Sequence, residues 1–303
     1  MDEKLTASLR RSIIHSSHPH ELREIMDYAV LPAGKLFRPR LVLALAQDLK
    51  GKYDASDESL GRAIELHHAY TLVHDDLPAM DNDLIRRGKP STHAKFGEWK
   101  AILAGDALLI ASFEELMRID HPQIKKIHRL FSWATGARGL ISGQFLDLLA
   151  DGNMDFSLVV RIHELKTARL IQVGCLGAYY LSSPAISFRE IITFLRLGQE
   201  IGVTFQLLDD LTELTDSEVS AHENLINPFL ISPKKALKRL DQSYGRVRKI
   251  LSEKKLTCLS EMLNEYFSNS KKKLESSPEN INKNVNEDVR EDLRRWITSF
   301  ASA

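Results

Sequence analysis

The chain has 303 residues, 41 basic against 41 acidic, 43% hydrophobic content, and only 15 Gly, 10 Pro and 2 Cys. Balanced charge gives no electrostatic case for nucleic acid or an anionic membrane as partner. The distant Cys175 and Cys258 form neither a disulfide framework nor a metal-type pair. No segment approaches the ~20 apolar residues of a membrane helix. The charged start Met1-Asp2-Glu3-Lys4, with no apolar run behind it, argues against a signal peptide, so a cytoplasmic protein is expected.

Apolar residues recur at helical spacing nearly throughout, which predicts a single all-α domain over residues 1–303. Residues 1–30 read as one or two entry helices, and residues 31–215 as long helices joined by short turns. A helix running in from Gly61 reaches Asp75-Asp76-Leu77-Pro78-Ala79-Met80-Asp81, closely followed by Arg86-Arg87. On a straight helix Asp75 and Asp81 would point about 240° apart. Pro78 disfavours helical geometry at Leu77 and withholds a donor, so the helix is predicted to end here and Asp81 to fold back toward Asp75. That end carries the negative pole of the helix dipole, which favours cations.

The stretch Phe194 to Leu214 has no Pro and reads as helix, carrying Asp209-Asp210-Leu211-Thr212-Glu213. Asp209 and Glu213 are i and i+4, Asp210 and Glu213 are i and i+3, and Gln206 lies one turn before Asp210. All are therefore expected on one side. Stacked like charges repel, and a cation gives a reason for them.

Alone, an Asp-rich turn is ordinary loop chemistry, and one acidic helix face is ordinary surface. Two acidic clusters, one beside paired arginines, point instead to a Mg²⁺-bridged diphosphate: carboxylates are hard ligands for Mg²⁺, and guanidinium groups read phosphate.

Together with these clusters, Gly34-Lys35-Leu36-Phe37-Arg38-Pro39, His68-Ala69-Tyr70-Thr71-Leu72-Val73-His74, Arg86 through His93, Leu103 through Leu109, Gly143 through Leu148, Lys166-Thr167 and Phe205-Gln206 stand in an order and spacing that resembles the trans-type polyprenyl diphosphate synthases, bacterial farnesyl diphosphate synthases in particular. The resemblance implies an isoprenoid-synthase-type bundle of about ten or more helices around a central substrate cavity. It also implies head-to-tail condensation of isopentenyl diphosphate with an allylic diphosphate, dimethylallyl or geranyl, and a farnesyl product.

It further implies Mg²⁺, three ions in the closed complex, on Asp75, Asp76, Asp81, Asp209, Asp210 and Glu213. Arg86 and Lys166 fall on the allylic diphosphate, Lys35, Arg38, His68 and Arg87 on isopentenyl diphosphate, and Thr167 and Gln206 along the cation. Tyr70 and Thr71 would floor the pocket and limit chain length. His74 is expected to orient or pack. A homodimer is implied, with the helices around Ala101–Ile119 as interface.

Several residues depart from the family pattern. Glu213 stands where relatives have Asp, Leu36 where they have Arg, and Thr215 through Pro228 replace a segment that usually supplies a diphosphate-binding lysine. These changes keep open geranyl or geranylgeranyl diphosphate synthesis, and a weakly active paralogue serving as a prenyl-diphosphate-binding regulatory subunit. A terpene cyclase fits less well, because Arg38 and Arg87 provide for a second diphosphate. Polar, mobile loops are expected near residues 216–233 and 268–288, before a last helix ending near Trp296.

Overall fold

The computed structural model describes residues 2–14, 19–31, 34, 36–150, 154–183, 185–215, 221–285 and 287–300. Its elements are helices almost throughout, as the apolar spacing predicts. They run α1 (Asp2–Ile14), α2 (His20–Val30), α3 (Phe37–Lys50) and α4 (Ala55–Asp75), then the short strands β1 (Ile85–Arg86) and β2 (Lys89–Pro90). Next come α5 (Thr92–Phe96), α6 (Glu98–Met117), α7 (Ile124–Thr135), α8 (Leu140–Leu148) and α9 (Phe156–His163), a π-helical turn at Glu164–Ala168, and α10 (Arg169–Ser182). The chain continues through α11 (Phe188–Glu213), α12 (Ala221–Ile226), α13 (Pro228–Ile231), α14 (Pro233–Lys254), α15 (Thr257–Ser276), α16 (Pro278–Asn284) and α17 (Glu287–Ser299). Two units emerge, Met1–Leu130 with Gly177–Pro184, and Phe131–Leu176 with Ala185–Ala303.

In the first unit α4 is the central helix and packs most extensively on α6. It starts on a full capping box: the Asp54 carboxylate accepts from the Ser56 and Asp57 amides, and Asp57 accepts from the Asp54 amide. Small side chains let α6 approach, with Leu66, Ala69 and Val73 sharing a core with Ala101, Ala104 and Leu108. Gly105 leaves the space that the His74 ring fills. A Cβ at that position would lie 2.2 Å from Nε2 of His74.

In the second unit α11 is central, packed on α14, the π-helical turn and α15. Two of its glycines, one turn apart, decide how close its neighbours come. A Cβ on Gly202 would stand 2.4 Å from Cα of Ala168, and one on Gly198 would stand 2.6 Å from Cα of Gln172.

Both stretches expected as loops prove largely helical among the described residues. The first contains α12 and α13, where Asn227 caps the Phe229 amide, Pro228 takes the first helical position and Phe229 is buried. Residues 216–220 lie outside the described residues. In the second, α15 continues to Ser276 with Ser270 and Leu274 buried one turn apart, and α16 follows with Ile281 buried. The asparagines that read as loop chemistry serve the end of α11: Asn280 donates to the Thr215 carbonyl and Asn284 to that of Leu214. These carbonyls are among those a helix end leaves without an internal partner.

Candidate active site

The first acidic motif forms where α4 stops. The helix ends at Asp75, and the next residues turn through Leu77 N–H to His74 C=O at 3.1 Å and Met80 N–H to Leu77 C=O at 2.9 Å. The turn closes with Asp81 N–H donating to Asp75 C=O at 2.9 Å, the fold-back that Pro78 predicts. Asn82 follows at φ 54, in the left-handed region asparagine tolerates. Asp75 is buried on the helix and Asp81 is exposed on the turn.

Asp76 has a different environment from its neighbours. It is 2% exposed and accepts from Arg86 through Nε at 2.9 Å and Nη2 at 2.5 Å, and Nη2 also reaches Asp83 at 2.7 Å. Burial works against the Arg86 charge, but Asp76 and Asp83 outweigh it and hold the guanidinium above its ordinary range. Asp76 is therefore placed as the anchor of Arg86.

Arg86 and Lys89 pair across the two-stranded hairpin, whose turn residues Arg87 and Gly88 take φ 53 and 74. Two consecutive positive φ values are those of a type I′ turn. Lys89 pins the hairpin by donating to the carbonyls of Tyr28 and Leu31, each at 2.6 Å. The Arg87 guanidinium lies against Gly34, where a Cβ would come within 3.2 Å of it. Leu36, standing where relatives carry arginine, is buried in the core of this unit at φ 48. Lys35 lies outside the described residues.

His68 is pushed well below its ordinary range by burial and then by the fields of Arg38 and Arg87, which makes it a neutral hydrogen-bonding group. Glu65, one turn earlier, is buried and raised by desolvation, with Arg38 and Arg87 pulling the other way. The structure thus brings Arg38, His68 and Arg87 into one electrostatic neighbourhood, with a buried carboxyl that the sequence reading missed. Its i, i+3 spacing to His68 was the available signal. His67 bonds Ser112 within the core, and His74 packs into the Gly105 slot, its Nε2 3.1 Å from the Ile102 carbonyl. Tyr70 stands edge-on between their rings, at 4.8 Å and 5.2 Å, and Thr71 donates to the His68 carbonyl.

The second cluster divides. Asp209 and Glu213 are half-buried, whereas Asp210 is 4% exposed. Asp210 accepts from Gln206 Nε2 at 2.9 Å and faces His163 Nε2 at 3.6 Å, and its backbone carbonyl accepts from Asn227. Consecutive helical residues diverge by 100°, so Asp210 turns toward Gln206 and His163 while Asp209 turns toward Tyr266. Asp209 accepts from the Tyr266 hydroxyl at 2.9 Å, and the Tyr266 ring stacks on Phe205 at 4.7 Å.

Lys166 and Thr167 occupy the π-helical turn, a local insertion frequent at functional sites. Gly143 permits it, since a Cβ there would stand 2.6 Å from the Lys166 amide. Lys166 donates to the buried Asp147 at 2.6 Å, and Thr167 donates to Gln206 Oε1 at 2.8 Å. A cavity of about 700 Å³ between α14 and α15, lined by Tyr244, Arg248, Lys255 and Phe267 among others, includes none of these residues.

No three His, Cys, Asp or Glu side chains among the described residues form a ready metal cage. The donor set nevertheless suits Mg²⁺, which is held by one or two carboxylates and completed by water and substrate phosphate. Asp75 with Asp81, and Asp209 with Glu213, are the pairs that would hold it.

Aspartate-rich helix ends with guanidinium and ammonium groups beside them suit the binding of a Mg²⁺-bridged diphosphate. The polyprenyl synthetase family model matches residues 19–226, and the chain belongs to that family. It is 36% identical over 223 residues to farnesyl diphosphate synthase of Geobacillus stearothermophilus, covering 71% of this chain and 74% of that one. Its fold matches geranyltranstransferase of Thermotoga maritima with a TM-score of 0.75 at 31% identity, over 87% of this chain and 95% of that one. It also matches geranyltransferase of Helicobacter pylori complexed with magnesium and isoprenyl diphosphate, with a TM-score of 0.73 at 28% identity, over 87% and 94% of the two chains. The protein is a prenyltransferase of the isoprenoid synthase fold. No helix among the described residues is long and apolar enough to cross a membrane.

Proposed function

We propose that this enzyme joins isopentenyl diphosphate head to tail with dimethylallyl and then geranyl diphosphate, releasing farnesyl diphosphate and diphosphate. The observation that carries the reading is the fold-back at the end of α4, where the Asp75 and Asp81 backbones are hydrogen-bonded and Arg86 is tethered to Asp76. Asp75, Asp81, Asp209 and Glu213 would hold Mg²⁺, which supplies the Lewis-acid charge that a departing diphosphate needs. Arg86 and Lys166 bind the allylic diphosphate, each exchanging part of its pairing with Asp76 or Asp147 for phosphate oxygens. Arg38, neutral His68 and Arg87, with Lys35, bind isopentenyl diphosphate. Tyr70, five residues before Asp75 and about 7–8 Å below it along the helix, closes the pocket at fifteen carbons.

Incubating the protein with isopentenyl diphosphate, Mg²⁺ and each of dimethylallyl, geranyl and farnesyl diphosphate, then identifying products by mass, tests this. Farnesyl diphosphate as the end product supports it. A twenty-carbon product removes the role given to Tyr70. No turnover, with diphosphate still bound, gives the regulatory-subunit reading instead, which the buried Leu36 would then favour.

The reading extends to self-association, which the exposed stripe of Trp99, Ile102, Leu103, Ile110 and Met117 on α6 supports. The occupant is a second copy of this chain, and light scattering at a monomeric mass would refute it.

A further inference from the structure

Thr167, Gln206 and Asp210 form a chain of hydrogen bonds whose direction is fixed once Asp210 is ionised. Gln206 is a carboxamide, with one end that donates and one that accepts, and the amide can be turned either way. Asp210 as a carboxylate only accepts, so the Gln206 group facing it at 2.9 Å must be the NH₂. The Gln206 carbonyl is then left for Thr167 at 2.8 Å, and a carbonyl oxygen can only accept, so the Thr167 hydroxyl must donate. With its one hydrogen committed, Thr167 Oγ1 offers only lone pairs to any other group. An oriented dipole of that polarity stabilises positive charge beside it without a proton to lose.

The surroundings keep this order in place. Asp210 is 4% exposed and Thr167 8%. His163 is buried, and its Nε2 stands 3.6 Å from the second Asp210 oxygen. Asn227 holds the Asp210 backbone, and Gly202, one turn before Gln206 on α11, admits the turn that carries Thr167.

We infer that Asp210 is a positioning residue rather than a metal ligand: through Gln206 it sets the polarity of the Thr167 hydroxyl, while Asp209 and Glu213 carry the metal function of this cluster. The inference rests on the prenyl-transfer reading above, and divides labour within it.

The test compares Asp210→Ala, Asp210→Asn and Asp209→Ala with the unaltered enzyme. Calorimetry measures Mg²⁺-dependent binding of inorganic diphosphate, and steady-state kinetics separates kcat from KM. The expected result is that both Asp210 variants bind Mg²⁺ and diphosphate within about twofold of the unaltered protein, while Asp209→Ala weakens that binding by tenfold or more, a typical loss at a metal site. Asp210→Ala should lower kcat by about 10²-fold with both KM values within about twofold, the size of effect seen when one oriented dipole is lost. Asp210→Asn, whose Oδ1 can still accept from Gln206, should recover most of that rate.

A tenfold loss of Mg²⁺-dependent binding in either Asp210 variant would overturn the inference, as would an Asp210→Ala kcat within twofold of the unaltered value. If Asp210→Ala does not fold, the binding result for Asp210→Asn decides alone. If the unaltered protein binds Mg²⁺ and diphosphate but does not turn over, the prenyl-transfer reading fails, and the binding comparison still determines which aspartate is the ligand.

Discussion

The Asp81 amide donates to the Asp75 carbonyl at 2.9 Å, so two carboxylates six residues apart in sequence leave one helix end together. Asp81 is exposed and adds nothing to the core, so Asp81→Ala should leave stability within about 0.5 kcal/mol. It should lower kcat/KM by about 10²-fold, on the scale of other lost transition-state charge contacts, and raise the Mg²⁺ concentration for half-maximal rate. Thermal unfolding and a Mg²⁺ titration of the rate measure the two effects separately. A normal Mg²⁺ requirement would remove Asp81 from the site.

Tyr266 is a residue that no local pattern announces. It lies 57 residues beyond Asp209, on α15, and donates to Oδ1 of Asp209 while its ring stacks on Phe205. Tyr266→Phe keeps the stack and removes only the hydroxyl. Partners of metal ligands typically matter by about 10–100-fold in affinity, so the Mg²⁺ needed for half-maximal rate should rise by about tenfold with the unfolding midpoint nearly unchanged. An unaltered Mg²⁺ curve would show that the contact does not orient Asp209.

The contrast between Asp81 and Tyr266 shows what the sequence made legible. Helical spacing and Pro78 placed both acidic clusters and ended α4 at the right turn, because helix propensity and proline sterics are local. The inward turn of Asp210, the π-helical turn under Lys166, the Asp76 anchor of Arg86 and the Asn280 and Asn284 contacts to α11 all depend on partners set by packing. Composition misled at residues 268–288 for the same reason. Asparagine and lysine there look like solvent-facing loop, yet Ser270, Leu274, Ile281 and Val285 are buried, and Asn280 and Asn284 donate to carbonyls at the end of α11.

Tyr70 sits between the His67 and His74 rings at 4.8 Å and 5.2 Å. Removing it in Tyr70→Ala opens space below Asp75 without touching an acidic residue. The variant should extend the product beyond fifteen carbons, at a stability cost of about 2–4 kcal/mol for truncating a half-buried aromatic. Product mass after exhaustive incubation decides it. An unchanged fifteen-carbon product would locate the length limit elsewhere.

Three histidines pushed down by desolvation make the fold sensitive to acid. His67 is pushed down to about 3 and His163 to about 4 by desolvation, and His68 lies well below its ordinary range. In the unfolded chain each has the ordinary value of 6.5, so between the folded and unfolded values the unfolded state binds more protons. Stability therefore falls as pH drops below 6.5 and continues to fall until the folded values are reached. Unfolding midpoints measured from pH 7 to pH 4.5 should decline steeply, and His67→Phe should flatten part of that slope while losing the Ser112 contact. A midpoint that stays level over this range would mean that His67 and His163 are protonated in the folded protein.

Gly202 gives the most direct test of how the second site is assembled. A Cβ there would stand 2.4 Å from Cα of Ala168 and 2.5 Å from its Cβ, distances that neither backbone can accept without separating. Gly202→Ala adds a residue that favours helix by about 0.8–1.0 kcal/mol, so propensity alone predicts a gain. Overpacking at a backbone contact costs about 1–3 kcal/mol and exceeds it, so the net change should be destabilising. The displacement also pushes the turn carrying Thr167 away from Gln206, one helical turn along α11. Prenyl transfer should therefore fall by more than the loss of folded protein explains, with kcat reduced at temperatures where the variant is fully folded. A stabilised Gly202→Ala with normal kcat would mean that the 2.8 Å contact between Thr167 and Gln206 does not depend on this close approach.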